Sequence, residues 1–532
     1  MPSTMPSPQF QRAIKQAIEH HQAGRLAQAE PLYREALMAD PRHPHALQLM
    51  GLLAYQTDRH ALAVEMLKKA ITAAPRAEFF VNLSQAYRGL NDLKSCLEAC
   101  RRAVQLGPSI AEAWNNLGSV LKDLNQPQEA LASYRKALAL RPDYAVVHNN
   151  LGNMLTHFGD AAAAEESLKR SISLDLNYAE AYSNFAHLIT RQGRLEEAVA
   201  CCRRAIALKP QLGAAYTNLG TALHAQGLMD EGNEAYRVGA QMDPNNGSLH
   251  ENLLGCFNHT MRWTPGEMLA AHVAWAERFA ESSAPVAPHG NDRSPDRKLR
   301  IGYVSPDLRR HSVTYFLEPI LAHRDRAAFD VVGYSNTEQP DETTDRLRGL
   351  CDGWHDIRGL SEDEAAALIR SDRIDILIDL AGHTKGNRLP VFGRKPAPVQ
   401  MTYLGYAGTT GLRSIDYRIT DDLSDPPALT DAHYSEKLMR MAAPFLCYQP
   451  PPESPAVVDP PVLQQNFVRF GSFNNSAKIG TETFVLWSKV LLAVPESRVV
   501  LKAKALGDAG ARRRIFDGFA RHGIDAQRLE LI

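Results

Sequence analysis

A short polar loop, NNSAK at 474–478, carries the residues best suited to binding a phosphate group. It follows the apolar run FVRFGSF and precedes a helix predicted to begin near Gly480. The N–H groups and the positive dipole end at a helix N-terminus attract anions, and Lys478 adds a full charge beside them. The loop therefore predicts a diphosphate site, against the alternative that Lys478 is a solvated surface charge.

His311 is the residue whose chemistry suits proton transfer. It lies in PDLRRHS (306–312), directly after the apolar run RIGYVS. An imidazole has a pKa near ~6.5 and can take a proton from a hydroxyl group at neutral pH. The alternative is a loop histidine that packs on Tyr315 or on the backbone. The same two interpretations apply to His383, in GHTKGNR (382–388).

The elements that position these loops are predicted to be parallel strands. After residue 298, short apolar runs alternate with helical segments, which is typical of βαβ units and of a sheet covered on both faces. Ligands bind at the carboxyl ends of such strands, where the polar and glycine-rich clusters of this sequence fall. The runs predicted as strands are RIGYVS (300–305), FDVVGYS (329–335), IDILIDLA (374–381), VQMTYLG (399–405), FVRFGSF (467–473), RVVLKA (498–503) and RLELI (528–532).

A proline-rich stretch divides these strands into two lobes. The first lobe is predicted at 299–448, the joint at 449–466 and a shorter second lobe at 467–532. Loops at the carboxyl ends of both sheets would face each other across a cleft. A doubly wound sheet that stops after RLELI would lack a covering helix, so the second lobe is expected to be truncated.

Residues 10–246 repeat with a period of 34. In the unit AEAWNNLGSVLKDLNQPQEALASYRKALALRPDY (111–144), two helices are predicted, and the small residues Gly118 and Ala130 would let them approach closely. The pattern resembles the tetratricopeptide repeat, with seven units in an α-solenoid, followed by a capping segment and linker at 247–298. The leucine column of this repeat contains Leu83, Leu117, Leu151, Phe185, Leu219 and Leu253.

One column of the repeat is polar. At 100° per residue, Asn116 lies well away from the apolar stripe of its helix and is expected to face solvent. An amide both donates and accepts, so a ladder of amides can hold an extended peptide without reading its sequence. The alternative is that asparagine is simply frequent at this column. The predicted acceptor-binding residues are Asn82, Asn116, Asn150, Asn184, Asn218 and Asn252.

Composition excludes several classes of protein. The formal net charge of −1 argues against a general polyanion binder, and no apolar run approaches the roughly 18 residues of a membrane span. The N-terminus lacks the pattern of a secretory signal, and the seven cysteines show no zinc-like spacing, so a reduced cytoplasmic protein is expected. No metal site is predicted, and Asp421 with Asp422 is interpreted as a loop or cap pair.

The joint order of IGYVSPDLRRHSV, DLAGHTKGNRLPVF, PAPVQMTYLGYAGTTG, YSEKL and FNNSAK resembles glycosyltransferase family 41, the O-linked N-acetylglucosaminyltransferases, in its bacterial branch. The resemblance implies a solenoid joined to an α/β domain of two GT-B-like, Rossmann-like lobes. It implies inverting, metal-independent transfer of N-acetylglucosamine from UDP-GlcNAc to Ser or Thr hydroxyls, with no cofactor. It also implies that sequence absent here completes the donor pocket, so poor donor binding is expected.

Site roles follow residue by residue from this resemblance. His311 stands at the family's active-site histidine, and Lys478 at the lysine that holds the donor diphosphate. Leu404 and Gly405 match a loop that lines the sugar pocket. The other residues expected at the donor are Asn475, where animal members have glutamine, His383, where they have tyrosine, and Lys385 in the same loop as His383.

Three functions remain open from the sequence. Protein O-GlcNAc transfer leads, O-fucosyl transfer from a guanosine-diphosphate sugar is an alternative within the class, and a non-catalytic repeat scaffold is an alternative outside it. The expected partners are acceptor proteins and a nucleotide sugar, without nucleic acid or membrane. A homodimer through the repeats is left open.

Overall fold

The computed structural model describes residues 7–258, 263–450, 454–465 and 467–532. The predicted absence of a signal at 1–6, and parts of the capping segment (259–262) and of the interlobe joint (451–453 and 466), lie outside these residues. The chain divides into two units, one ending at Leu188 and one running from Ile189 to Ile532, and each is described by itself.

The first unit is a series of antiparallel helix pairs. Proline begins several of the helices, because its fixed φ suits the first turn and its missing N–H is not needed there. The helices are α1 Pro8–Gln22, α2 Leu26–Ala39, α3 Pro44–Gln56, α4 His60–Ala73, α5 Ala77–Gly89, α6 Leu93–Leu106, α7 Ala111–Asp123, α8 Pro127–Leu140, α9 Ala145–Phe158, α10 Ala161–Leu174 and α11 Ala179–Gln192, which continues into the second unit.

In four of the repeats, a tyrosine or leucine of the second helix fits against a glycine of the first, at Gly51, Gly118, Gly152 and Gly220. Tyr134 is fully buried, and a Cβ placed on Gly118 would lie 2.7 Å from its ring. Ala130 is fully buried in the same repeat. Gly220 and Tyr236 repeat the arrangement in the second unit. The predicted close approach of the two helices therefore depends on the absence of a side chain at this glycine.

The second unit begins with the remaining helical repeats and a capping helix. The capping helix starts at a reciprocal pair of hydrogen bonds between Thr264 and Glu267 and ends in a turn of π-helix, Ala276–Ala280. None of the helices in the described parts of the chain is both long and apolar enough to cross a membrane. The helices are α12 Leu195–Leu208, α13 Gly213–Gln226, α14 Met229–Met242, α15 Gly247–Phe257 and α16 Pro265–Trp275.

A seven-stranded, wholly parallel sheet follows, in the order β3-β2-β1-β4-β5-β6-β7. Four of its strands coincide with the apolar runs, and the predicted solenoid followed by a parallel α/β domain is confirmed. The elements are β1 Leu299–Ser305, α17 Thr314–His323, β2 Phe329–Ser335, α18 Glu342–Leu350, β3 Gly353–Asp356, α19 Glu362–Ser371, β4 Ile376–Asp379, α20 Leu389–Gly393, β5 Val399–Thr402, β6 Tyr417–Asp421 and β7 Lys437–Met441.

The last elements form a three-stranded parallel sheet in the order β10-β9-β8. Its core contains Phe484 and Phe519, whose rings meet edge to face at 5.3 Å. The elements are α21 Val462–Gln465, β8 Arg469–Ser472, α22 Thr481–Ala493, β9 Arg498–Leu501, α23 Ala509–Ala520 and β10 Leu529–Leu531.

We expect Gly118→Ala to destabilise the repeats by about 1–3 kcal/mol, because the added methyl group would press on the buried ring of Tyr134. Gly255→Ala is the matched control: its position is also helical but open, so alanine should raise stability by up to about 1 kcal/mol through helix propensity. Urea denaturation followed by circular dichroism measures both changes. Equal effects of the two substitutions would contradict the packing argument.

Candidate functional site

The candidate site lies at the carboxyl edge of the seven-stranded sheet. Strands β1, β4 and β5 are parallel neighbours, so the loops that follow them emerge side by side. These are the loops that contain His311, His383 and Leu404. The structure therefore brings together the segments that the sequence assigned to the first half of the site.

His311 is partly exposed, and its ring is held by its own loop. Its Nδ1 accepts a hydrogen bond from the Val313 N–H at 3.4 Å, while its Nε2 lies 3.8 Å from Oδ1 of Asp307. Burial raises the pKa of the Asp307 carboxyl above its usual value. An Nδ1 that accepts leaves the ring proton on Nε2, toward Asp307. The Val313 contact is long, so a substrate hydroxyl can compete for the lone pair on Nδ1.

The loop after β1 is fixed by the loop after β2. The carboxylate of Asp341 accepts from the Arg310 N–H at 2.8 Å, and the Thr337 hydroxyl donates to the Pro306 carbonyl at 2.9 Å. These bonds hold the backbone of the loop after β1 at Pro306 and at Arg310. His311 therefore lies in a loop whose backbone is held by hydrogen bonds to the neighbouring loop.

The loop after β4 is organised by Asp379, which is 1% exposed. Its carboxylate accepts from the N–H groups of Ala381 and Gly382 at 3.1 and 2.8 Å, and from the Thr402 hydroxyl at 2.9 Å. Burial raises the pKa of Asp379 to about 6, against the opposing effect of these three donors. The carboxyl group therefore locks the start of the GHTKG loop to strand β5.

The loop after β5 contains a strained turn at the residues predicted to line the sugar pocket. Leu404 has φ +72°, and the Gly405 N–H donates to the Tyr403 carbonyl at 2.9 Å, which closes a γ-turn of the rare positive-φ form. A Cβ on Gly405 would lie 1.9 Å from the Leu380 carbonyl oxygen. Strain of this kind persists only where the surroundings enforce it.

Two buried charged residues hold the part of the loop that follows this turn. Arg418 is 5% exposed and donates to the carbonyls of Tyr406, Ala407 and Gly408. Glu436 is 3% exposed and accepts from the Thr409 hydroxyl at 2.7 Å and from the Thr410 N–H at 2.7 Å. The GYAGTTG loop is consequently held by a guanidinium on its carbonyls and a carboxylate on its donors.

Sequence reasoning missed Arg418 and Glu436 as parts of the site. Glu436 lies within the motif YSEKL, but the motif alone assigns no role to this residue. Arg418 lies in no motif that would mark it as part of a site. Both residues contact a loop that is distant in the sequence, which is why a local motif could not show their roles.

His383 and Lys385 lie in the same loop but in opposite environments. Lys385 is exposed at the surface. His383 is 5% exposed, its Nε2 is 2.8 Å from the Thr410 carbonyl, and its ring packs against those of Trp275 and His272. Burial lowers the pKa of His383 to about 3. This environment favours a packing role for His383 over direct contact with the donor.

The second half of the predicted site lies in the three-stranded lobe. Asn475 and Lys478 are both exposed: Asn475 precedes a 3-10 turn and Lys478 is its last residue. The Lys478 N–H donates to the Asn475 carbonyl at 2.9 Å. Helix α22 begins two residues after Ile479, at Thr481, with Gly480 as its N-cap residue and no side-chain cap. Within the described ranges, no hydrogen bond or ion pair joins Lys478 to His311. A role of these residues at the donor phosphate stays a prediction.

The asparagine ladder of the first unit is part of a longer amide chain. A second, buried column, Asn115 and Asn149, alternates with the predicted one. Between repeats, the Asn184 amide donates to Asn149 at 2.8 Å and the Asn150 amide donates to Asn115 at 3.0 Å. Within a repeat, the contacts from Asn149 to Asn150 and from Asn115 to Asn116 are longer, at 3.5 and 3.4 Å. The chain ends where Asn116 donates to the Ser84 hydroxyl at 3.3 Å.

The ladder residues Asn116, Asn150 and Asn184 are half-buried, not fully turned to solvent as expected. The neighbouring repeat covers one side of each, through the Ser84 hydroxyl at Asn116 and through an amide, of Asn115 or Asn149, at the other two. Asn82 is likewise half-buried in this unit, while Asn218 and Asn252 belong to the second unit. Peptide binding by this column stays a prediction.

Asp421 and Asp422 act as the sequence suggested. Asp421 accepts from the N–H groups of Leu423 and Ser424 and from that of Phe445, and Asp422 lies 3.7 Å from Arg440. Hydrogen bonds from these N–H groups lower the pKa of Asp421. Over the ranges that the structure describes, no group of three or more His, Cys, Asp or Glu side chains is placed to hold a metal ion.

We expect Asn149→Ala to destabilise the first unit by about 1–3 kcal/mol, because it removes a buried acceptor and leaves the Asn184 amide without that partner. Asn116→Ala loses only contacts of 3.3 and 3.4 Å and should cost less than about 1 kcal/mol. Urea denaturation compares the two variants. A larger cost for Asn116→Ala would mean that the buried column does not hold the ladder.

The buried pair His272 and His383 predicts acid lability. Burial lowers their folded-state pKa values to about 4 and about 3, below the usual 6.5, so below that pH the unfolded chain binds protons that the folded chain does not. Stability therefore falls as the pH falls from about 6.5 toward about 4, by about 1.4 kcal/mol per pH unit for each histidine.

His383→Gln should flatten this slope by about 1.4 kcal/mol per pH unit, since glutamine does not titrate. Urea denaturation at a series of pH values measures it, with the exposed His323→Gln as control. An unchanged slope for His383→Gln would show that His383 is protonated in the folded protein.

Comparison with known proteins agrees with this geometry. The model of glycosyl transferase family 41 matches residues 254–449, and tetratricopeptide-repeat models match 14–78, 77–109, 111–144, 145–178 and 186–227. The probable UDP-N-acetylglucosamine–peptide N-acetylglucosaminyltransferase SPINDLY of Petunia hybrida is 42% identical over 286 residues, 53% of this chain and 31% of that protein. The protein SEC of Arabidopsis thaliana, named as a probable enzyme of the same activity, is 32% identical over 223 residues, 40% of this chain and 23% of that protein.

The chain thus spans less than a third of the length of these plant relatives. Among solved structures, a lysine-to-methionine variant of the O-GlcNAc transferase of Thermobaculum terrenum is similar, with a TM-score of 0.68 and 35% identity. That match covers 73% of this chain and 74% of the other. With these motifs, this fold and this relative, the chain belongs to glycosyltransferase family 41.

Proposed function

We propose that the protein transfers N-acetylglucosamine from UDP-GlcNAc to Ser or Thr hydroxyls of proteins. The names of the plant relatives and of the similar solved structure support this donor and this class of acceptor. The observation that carries the proposal is the carboxyl edge of the seven-stranded sheet, where the loops after β1, β4 and β5 emerge side by side. The loop after β5 contains the strained Leu404–Gly405 turn, and the residues that follow this turn are bonded to the buried Arg418 and Glu436.

A rigid loop suits a sugar pocket because the groups that bind the donor need no reorganisation during the reaction. This loop is fixed at three points. They are the Leu404 turn, the close approach of Gly405 to the Leu380 carbonyl, and the residues bonded to the buried Arg418 and Glu436. The backbone of the pocket is therefore preorganised before the donor arrives.

The proposed reaction is a single displacement with inversion. The acceptor oxygen attacks the anomeric carbon as the bond from that carbon to the β-phosphate oxygen breaks. The hydroxyl proton passes to Nδ1 of His311, whose lone pair is held only by a long contact from the Val313 N–H. The electron pair leaves with the diphosphate, where Lys478 and the N-terminus of helix α22 supply the positive charge that a metal ion supplies elsewhere.

The repeats would present the acceptor polypeptide. Asn116 and Asn150 each use one N–H and one oxygen lone pair in the amide chain, so one of each remains for a peptide backbone. Cytoplasmic location and a homodimer through the repeats belong to the same proposal. Cell fractionation and light scattering test these two points.

We expect Lys478→Ala to lower the rate of sugar transfer by about 10²–10³-fold, because the leaving diphosphate then lacks one of the positive groups that stabilise it. Lys489→Ala, at an exposed lysine within helix α22, is the control and should transfer normally. Radiolabelled sugar transfer and mass spectrometry of co-expressed proteins, searching for added N-acetylhexosamine, measure the effect.

Each other outcome has a meaning. Near-normal transfer by Lys478→Ala would remove Lys478 from the mechanism. Transfer from GDP-fucose with none from UDP-GlcNAc would replace the donor. A wild-type chain that neither transfers sugar nor binds UDP-GlcNAc in a calorimetric titration would favour the non-catalytic scaffold.

A further inference from the structure

In the second unit, three repeat helices end against the three-stranded lobe. A helix end leaves main-chain groups without intrahelical partners, with a positive partial charge at the N-terminus and a negative one at the C-terminus. The lobe supplies a side chain of the opposite sign at each end. Lys504 donates to the Arg191 carbonyl in the last turn of α11 at 3.0 Å, Asp508 meets the N-terminus of α12, and Arg514 meets the C-terminus of α13.

Asp508 caps two helices at once. Its Oδ2 accepts from the N–H groups of Leu195 and Glu196, at the start of α12, at 3.0 and 3.4 Å. Its Oδ1 accepts from the Ala511 N–H of its own helix α23 at 2.9 Å. The residue is 8% exposed, so both bonds are shielded from water. One carboxylate thereby joins a repeat helix to a helix of the lobe.

Arg514 joins the repeat to the candidate phosphate loop. Its Nε donates to the Gln226 carbonyl, the last residue of α13, at 2.8 Å. Its two terminal nitrogens donate to the carbonyls of Ile479 and Ser476 at 2.9 and 3.2 Å. The Ser476 hydroxyl donates to the Ala225 carbonyl at 3.1 Å. The turn between Asn475 and Gly480 is thus held at two carbonyls and one hydroxyl.

Gly227 makes room for this contact. It follows α13 with φ +82°, and a Cβ on it would lie 2.0 Å from a terminal nitrogen of Arg514. Gly159 is the equivalent residue after α9, with φ +81°, and nothing lies within 4 Å of its Cβ position. The same conformation follows α11 at Gly193, with φ +86° and nothing within 4 Å of its Cβ position, so among these three glycines only Gly227 has a guanidinium in the space of a side chain.

We infer that Arg514 is a positioning residue that fixes the 475–480 turn to the last full repeat, so that the repeat helices set the place of Lys478. The value of this contact for donor binding rests on the proposed function. The attachment itself does not, because it is defined by hydrogen bonds between the turn, Arg514 and helix α13.

Hydrogen exchange of the 475–480 amides tests the attachment. Arg514→Lys should speed their exchange by about tenfold or more, because a single ammonium nitrogen does not reproduce the planar fork in which three guanidinium nitrogens each reach a different carbonyl. Arg513→Lys is the matched control. Arg513 is an exposed neighbour, and within the described residues its one ion pair is with the Glu196 carboxylate, at 3.6 Å. Unchanged exchange in Arg514→Lys would overturn the inference.

A second pair of variants reaches the same contact from the repeat side. Gly227→Ala and Gly159→Ala carry the same cost of a side chain at positive φ, but only Gly227→Ala displaces Arg514. Exchange at 475–480 should therefore rise in Gly227→Ala and stay at the wild-type rate in Gly159→Ala. Equal rates in these two variants would contradict the attachment even if Arg514→Lys were poorly folded.

Titration with UDP separates positioning from simple stability. If the wild-type chain binds UDP, Arg514→Lys should bind it about tenfold or more weakly than Arg513→Lys does, with both variants titrated at a temperature at which circular dichroism shows them folded. Equal UDP affinity with faster exchange would show that the turn is attached but that its place does not matter for the nucleotide, which overturns the positioning role. A wild-type chain that binds no UDP would count against the proposed function, and exchange would still decide the attachment.

Discussion

Main-chain groups that leave regular structure need partners, and in this protein buried charged side chains supply them. Asp379, Arg418 and Glu436 are each at most 5% exposed, and each bonds to backbone groups of a loop at the sheet edge. An unpartnered buried charge is far more costly than an unpartnered neutral group. The loop and the side chain therefore fix each other, since neither can move without leaving the other unsatisfied. Asp508 and Arg514 apply the same rule to the ends of the repeat helices.

Helix α16 and the π-helical turn that follows it pack closely on the GYAGTTG loop and on helix α20, and one glycine at each contact permits this. A Cβ on Gly411 would lie 2.4 Å from the His272 carbonyl, and one on Gly393 would lie 2.1 Å from the Ala280 carbonyl. His272 then meets the Tyr406 hydroxyl at 2.9 Å, and that hydroxyl donates to the Leu254 carbonyl at 3.0 Å. Helices α15 and α16 thus pack against the GYAGTTG loop through Tyr406. A substitution in α16 is expected to act on the site through backbone position, without touching a substrate.

The sequence predicted what short-range pattern determines. Strands β1, β2, β4 and β5 are continuous apolar runs, and all four were found from their composition. Strands β3 and β7 were missed because they are half-buried or exposed, and β6 was missed because its buried positions carry polar residues, among them Arg418. Likewise, the loops of the site were located from glycine and polar clusters. Their supports were not, since Arg418, Glu436 and Arg514 act on segments that the chain brings near only after folding.

The asparagine columns show how one feature can serve both interpretations that the sequence left open. The buried amides of Asn115 and Asn149 link one repeat to the next, which is a structural role. The same bonds orient the half-exposed amides of Asn116 and Asn150 and leave each with one free donor and one free acceptor site. An ordered amide loses less entropy on binding than a mobile one. If the ladder holds an acceptor as proposed, the order that stabilises the repeats would also lower the cost of binding an extended backbone, and because every amide offers the same two groups, the ladder would favour no particular acceptor sequence.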